Sequence, residues 1–120
     1  MTTLTLLSWN VNGLRAVFKK GFAQWVGKTS PDILCLQETK AHPDQLPREV
    51  IDHKPYFSYW DSSTAKKGYS GVATFTREKP IRVETGLGIE KFDVEGRVVM
   101  TEFPEFALFN VYFPNGKKDS

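Results

Sequence analysis

The chain has 120 residues, 40% of them hydrophobic and 25% charged, with a net charge of +2. That is the composition of an ordinary globular domain with enough chain for a core, and it excludes collagen-like, low-complexity and intrinsically disordered classes. No apolar run is long enough to span a bilayer, no basic-then-apolar leader follows Met1, and the single Cys35 has no partner for an internal disulfide; the expectation is a cytoplasmic chain with no membrane association.

Residues 3–9 mix Leu with Thr and Ser in rough alternation and read as a strand. Asn12-Gly13 then turns the chain. Over 15–28, Val17, Phe18, Phe22, Trp25 and Val26 fall near helical spacing, interrupted by Gly21. The reading is an irregular turn followed by a short helix whose firm part begins around Lys20. Ser30-Pro31-Asp32 closes that connection, and 33–37 is a buried strand. A strand, a crossover helix and a second strand predict a parallel pair with right-handed connectivity.

The polar stretch 43–54 holds at most a brief helix near 46–51, and 56–60 is aromatic enough for a strand. Further strands are predicted at 72–76, 81–85, 98–103 and 106–112, with a tight hairpin at 102–106 and a loop over 86–96. Cys35, between Leu34 and Leu36, reads as core packing rather than a reactive thiol. The opening is α/β and the later part is mostly sheet.

Three polar signatures each follow an apolar strand-like run: Ser8-Trp9-Asn10-Val11-Asn12-Gly13-Leu14-Arg15, Leu36-Gln37-Glu38-Thr39-Lys40 and Asn110-Val111-Tyr112-Phe113-Pro114-Asn115-Gly116. In open α/β sheets, ligands gather beyond the carboxyl ends of strands. The pattern therefore brings Asn10, Glu38 and Tyr112 to one sheet edge. An amide oxygen, a carboxylate and a phenol suit a hard cation and an anionic oxygen substrate, the chemistry of phosphodiester hydrolysis.

Each residue alone has a simpler explanation. Glu38 could be a surface glutamate paired with Lys40, and Asn12 an ordinary residue before a turn glycine. Arg15 could be solvated on a helix or could meet phosphate, and Tyr112 could be a core tyrosine with a satisfied hydroxyl. The Lys66-Lys67-Gly68-Tyr69-Ser70-Gly71 stretch is either a hairpin tip or a loop in which lysines neutralise phosphates and Tyr69 packs on a sugar or base. Arg15, Lys19, Lys20, Lys40, Lys66, Lys67, Lys117 and Lys118 all lie in or near these loops, a basic rim suited to a polyanion. His42 and His53 have no partners at zinc spacing.

Read in order, and joined by Lys66-Lys67-Gly68-Tyr69-Ser70-Gly71-Val72 and Glu95-Gly96-Arg97-Val98, these blocks resemble the exonuclease III-like abasic-site endonucleases of the endonuclease/exonuclease/phosphatase superfamily. The resemblance runs over essentially the whole chain. It implies an α/β fold, the amino-terminal half of a four-layer sandwich with two mixed sheets face to face and helices outside. It also implies a Mg²⁺-dependent enzyme of base-excision repair, with Mn²⁺ as a substitute. Such an enzyme incises double-stranded DNA on the 5′ side of abasic sites or degrades 3′ ends, among intracellular, nucleoid-associated DNA and with no obligate protein partner.

By the same resemblance, Asn10 and Glu38 serve the metal and Tyr112 meets the scissile phosphate as an acid/base or transition-state stabiliser. Arg15, Lys40, Gly68, Tyr69 and Asn115 contact nucleic acid. Family chains are roughly twice as long and carry a later Asp-x-Asn motif, a further aspartate and a terminal Ser-Asp-His segment, none of which maps onto residues 1–120. The expectation is thus a partial domain, inactive in isolation, with exposed strand edges. Other superfamily branches, including inositol-phosphate phosphatases, sphingomyelinases and retroelement endonucleases, share the asparagine and the glutamate. A catalytically inactive nucleic-acid-binding fragment is the remaining alternative.

Overall fold

Alternation along Leu6-Leu7-Ser8-Trp9-Asn10 and the apolar run Ile33-Leu34-Cys35-Leu36-Gln37 produce the first two strands, β1 (Leu6–Asn10) and β2 (Ile33–Gln37), which pair in parallel as predicted. The computed structural model describes residues 3–114. Asn115, Lys117 and Lys118 lie outside the described residues.

The connection between the two strands is helical almost throughout, α1 (Leu14–Lys19) and α2 (Phe22–Thr29), broken at Gly21 with φ 101°. The irregular turn expected before Lys20 is therefore a helix. Its first turn has no side-chain cap; instead Gly13 N–H donates to the Glu38 carbonyl at 2.8 Å and Leu14 N–H to the Thr39 carbonyl at 2.9 Å. Free N–H groups at a helix start need acceptors, and here the chain beyond β2 supplies them. That partner is 25 residues away from Leu14 at Thr39, beyond the reach of a local reading of sequence.

After β2 come a 3₁₀ turn (Pro43–Gln45), α3 (Arg48–Ile51), β3 (Phe57–Asp61) and β4 (Val72–Thr76). β4 sits between β2 and β3, antiparallel to both, giving the order β1-β2-β4-β3. The second sheet is β5 (Arg82–Thr85), β6 (Val98–Glu102) and β7 (Ala107–Val111), antiparallel throughout. The expected hairpin between β6 and β7 closes with Phe103 N–H on the Phe106 carbonyl at 2.7 Å. The predicted 86–96 loop contains one helical turn, α4 (Glu90–Asp93). Asp93 organises it by accepting the N–H groups of Leu87, Gly88 and Ile89 at 2.8, 2.8 and 3.0 Å.

Side-chain alternation divides the first sheet into two faces. Leu34 and Leu36 pack with Phe75, Leu14, Phe22 and Val26 under the helices, and Trp9 meets Trp25 with ring centroids 4.9 Å apart. Each such fully buried Leu or Phe contributes ~1.5–3 kcal/mol relative to exposure. The opposite face, Ile33 and Cys35, meets Phe103, Phe106 and Leu108 from the second sheet. The result is an α/β arrangement of two sheets face to face with helices outside the first. Among the described residues, β1 and β7 each have one strand neighbour, and Leu4, Leu6, Phe109 and Phe113 are exposed beside them.

Candidate active site

β1 and β2 deliver Asn10 and Gln37 side by side at their carboxyl ends, and Glu38 follows at once in a left-handed conformation, φ 56°. Lys40 repeats that conformation at φ 55°. Non-glycine residues held there cost on the order of 1–3 kcal/mol each and persist only where surroundings over-determine them. The surroundings do so from both sides. Val11 N–H donates to the Gln37 carbonyl at 3.0 Å, alongside the Gly13 and Leu14 bonds that hold the carbonyls of Glu38 and Thr39. From the other side, Thr39 N–H donates to the Gly71 carbonyl at 3.1 Å and Lys40 N–H to the Ser70 carbonyl at 2.8 Å. The Glu38–Thr39–Lys40 segment is thereby stitched between the β1 turn and the 66–71 loop.

Tyr112 enters from the second sheet. Its N–H donates to the Arg97 carbonyl at 2.9 Å, and its hydroxyl donates to Glu38 Oε2 at 3.2 Å. Burial, then the charge of Glu38 and the hydrogen bond to it, then the Tyr69 phenol hold the Tyr112 hydroxyl above the ordinary tyrosine range, against the opposing Arg97 guanidinium. The phenol is therefore a donor at neutral pH. Asn10 Oδ1 accepts the Asn12 N–H at 3.1 Å, an Asx turn that aims the amide oxygen at the strand end.

Lys40 Nζ donates to Asn12 Oδ1 at 2.7 Å. The surface pairing of Glu38 with Lys40 is thus not what forms. The ion pairs among the described residues join Arg82 to Glu84 and Glu102, and Arg97 to Glu95, and do not include Glu38. Arg15 is exposed on the first turn of α1. Gly68 lies at an open tip with φ 70°, and the half-buried Tyr69 has Lys66 Nζ 5.5 Å from its ring centroid. Asn115 lies outside the described residues.

The base of that loop is tightly built. Gly71 N–H and Ser70 Oγ–H both donate to the Gly96 carbonyl, at 3.0 and 3.2 Å. A Cβ on Gly71 would fall 2.4 Å from the buried Thr39 Oγ1. Gly96 and Arg97 thus form a junction, with one carbonyl taking the loop and the next taking Tyr112. Two functional candidates escaped the sequence reading, Gln37 and Asn110. The available signal was an asparagine inside an apolar strand, where a buried amide must find several partners.

Among the described residues no three His, Cys, Asp or Glu side chains converge as a ready metal cage. Mg²⁺ does not need one, since it keeps several waters and takes one or two carboxylates plus substrate phosphate. The Glu38 carboxylate, in no ion pair among the described residues, and the Asn10 amide oxygen fit part of such a shell.

The profile of the Endonuclease/Exonuclease/phosphatase family matches residues 7–117. The chain belongs to this family. It is similar to the DNA repair nuclease APEX1 of Danio rerio, 47% identical over 96% of this chain and 37% of that protein. It is also similar to the exodeoxyribonuclease of Bacillus subtilis, 42% identical over 96% of this chain and 44% of that one. Among solved structures, an AP endonuclease from Archaeoglobus fulgidus superposes with a TM-score of 0.78 at 29% identity, over 93% of this chain and 42% of that one. The 3′ phosphatase NExo from Neisseria bound to product DNA hairpin gives 0.79 at 30% identity, over 95% and 43%. The chain therefore spans about two fifths of the length of these relatives.

Proposed function

We propose that this chain forms the amino-terminal part of a Mg²⁺-dependent DNA phosphodiesterase of base-excision repair, cutting 5′ of abasic sites and acting at 3′ ends. The observation that carries the reading is the meeting of Glu38 and Tyr112 beyond the strand ends, from different sheets, with Asn10 alongside. Glu38 and Asn10 would hold the Mg²⁺, which supplies positive charge at the phosphate oxygens. Tyr112, protonated at neutral pH, donates to an oxygen on which negative charge develops. The Lys40–Asn12 bond fixes the turn beside them. Arg15, Lys66, Lys67, Gly68 and Tyr69 follow the duplex backbone, so binding weakens steeply with salt. The residue that activates water would lie in the part of the relatives' length that this chain does not span, and the 120-residue chain alone is expected to be inactive.

The names of the relatives favour DNA over the other superfamily substrates: a DNA repair nuclease, an AP endonuclease and an enzyme bound to a DNA hairpin. The test uses the complete protein with Mg²⁺ on a duplex carrying one abasic site, on the intact duplex, and on an inositol phosphate. Incision confined to the 5′ side of the abasic site is expected. Turnover of the inositol phosphate with an untouched abasic duplex would overturn the reading.

A further inference from the structure

Just behind the candidate site, the two sheets are joined by a polar crossbar. Gln37 Nε2 donates to Ser8 Oγ at 3.0 Å and to Asn110 Oδ1 at 2.9 Å. Asn110 Nδ2 in turn reaches the carbonyls of Leu36 at 3.2 Å and Ala73 at 2.9 Å, and Thr74 Oγ1 at 3.1 Å. Asn110 is only 2% exposed, so its amide is committed wholly to these partners.

The placement of the three side chains follows that of the site. Ser8 stands two residues before Asn10 on β1 and shares its strand face, and Asn110, on β7, stands two residues before Tyr112, which follows directly on the end of that strand. Gln37 immediately precedes Glu38. Each member of the crossbar thus lies one or two residues behind a member of the site.

Apolar side chains of similar size would hold the sheets together about as well, since exchanging a bonded polar pair for packed apolar groups is often neutral for stability. Apolar contact is non-directional, however, and leaves facing sheets free to settle at slightly different offsets. A chain of hydrogen bonds fixes the offset. Among the described residues β1 has β2 as its one strand neighbour, and its Ser8 and Leu6 are exposed on the inter-sheet face.

We infer that the Ser8–Gln37–Asn110 crossbar sets the separation of Tyr112 from Glu38, with Gln37 and Asn110 as positioning residues for the reaction proposed above, on which this inference rests. Displacements near 1 Å from productive geometry cost about a hundredfold in rate.

The test compares the complete protein with its Asn110→Leu, Gln37→Leu and doubly substituted forms, and with Val26→Ala, a core truncation under the helices remote from the site. Turnover per folded molecule on an abasic duplex should fall about ten- to a hundredfold in each crossbar variant, with KM within about threefold of the parent. The double variant should fall little further, because both substitutions break one chain of bonds. Val26→Ala should lower Tm and leave turnover intact. Should Asn110→Leu not fold, Gln37→Leu, at a half-buried position, reads the same bond. Crystal structures of the parent and of a crossbar variant supply a readout independent of activity: the Tyr112–Glu38 contact should open beyond hydrogen-bond reach. Parental turnover in the variants, or an unchanged contact, overturns the inference. Full activity of Glu38→Gln would instead overturn the reading of the site, and the crystal structures would still decide the role of the crossbar.

Discussion

Tyr112 Oη lies 3.2 Å from Glu38 Oε2, a contact between residues 74 apart in sequence and on different sheets. At that length the bond is loose for a hydroxyl and a carboxylate, which ordinarily approach to ~2.5–3.0 Å. Each group is therefore held mainly by its own strand end rather than by the other. Tyr112 hangs from the Arg97 carbonyl, and Glu38 from the bonds that fix its left-handed backbone.

Tyr112→Phe removes the hydroxyl and keeps the ring. In the complete protein, kcat on an abasic duplex should fall on the order of a hundredfold, the usual cost of losing one donor to developing charge. Duplex affinity should change little. A change confined to thermal stability would make Tyr112 a core residue and nothing more.

Gly71→Ala places a Cβ 2.4 Å from Thr39 Oγ1 at a φ of +94°, where neither the backbone nor the fully buried threonine can yield freely. Destabilisation of about 2–4 kcal/mol is expected from strain and overlap together. Gly68→Ala, strained at φ +70° but facing open space, should cost only about 1 kcal/mol. Denaturant unfolding of the pair separates overlap from strain, and equal losses would contradict the packing described at Thr39.

Burial pushes the Cys35 thiol up to about 11, with the Thr74 hydrogen bond opposing. Thiolate is the reactive form, so alkylation at neutral pH should be negligible in the native state and rapid in denaturant. Fast labelling of folded protein would remove Cys35 from the space between the sheets.

Asp61 is held above the ordinary aspartate range, first by burial and then by the charge of Asp93, against hydrogen bonds from the backbone at Val98 and Arg97. A carboxyl whose pKa is raised on folding contributes its stability below its unfolded value and loses it as pH rises through the folded one. Asp61→Asn keeps an acceptor for the Val98 N–H and removes the titration. Relative to the parent, the variant should gain stability as pH rises above ~4 and show no gain below it. Chemical denaturation across that range checks the sign.

Much of this architecture is legible in the sequence because polarity and position coincide. Ile33–Gln37 and Val72–Thr76 are bounded by polar turns and form strands over those residues. Asn10, Glu38 and Tyr112 each follow an apolar run, which is enough to bring them to one edge. What escaped depends on partners distant in the chain. α1 starts on carbonyls borrowed from Glu38 and Thr39, α4 is organised by Asp93 rather than by periodicity, and Lys40 turns to Asn12 and not to its neighbour Glu38. Asn110 reads as one polar residue within the predicted 106–112 strand, and only the opposing sheet shows that its amide bridges Leu36, Ala73 and Gln37.

The most direct test of the account is a Mg²⁺ titration of abasic-duplex incision by the complete protein and its Glu38→Gln variant. Glu38 is the carboxylate assigned to a sparse oxygen shell, and the amide that replaces it offers a neutral ligand of the same shape. Incision should fall by at least a hundredfold and need markedly more Mg²⁺, while metal-free duplex binding stays level or tightens with one negative charge gone. Parental turnover at the parental Mg²⁺ dependence would contradict the assignment of Glu38, and with it the functional reading of the site.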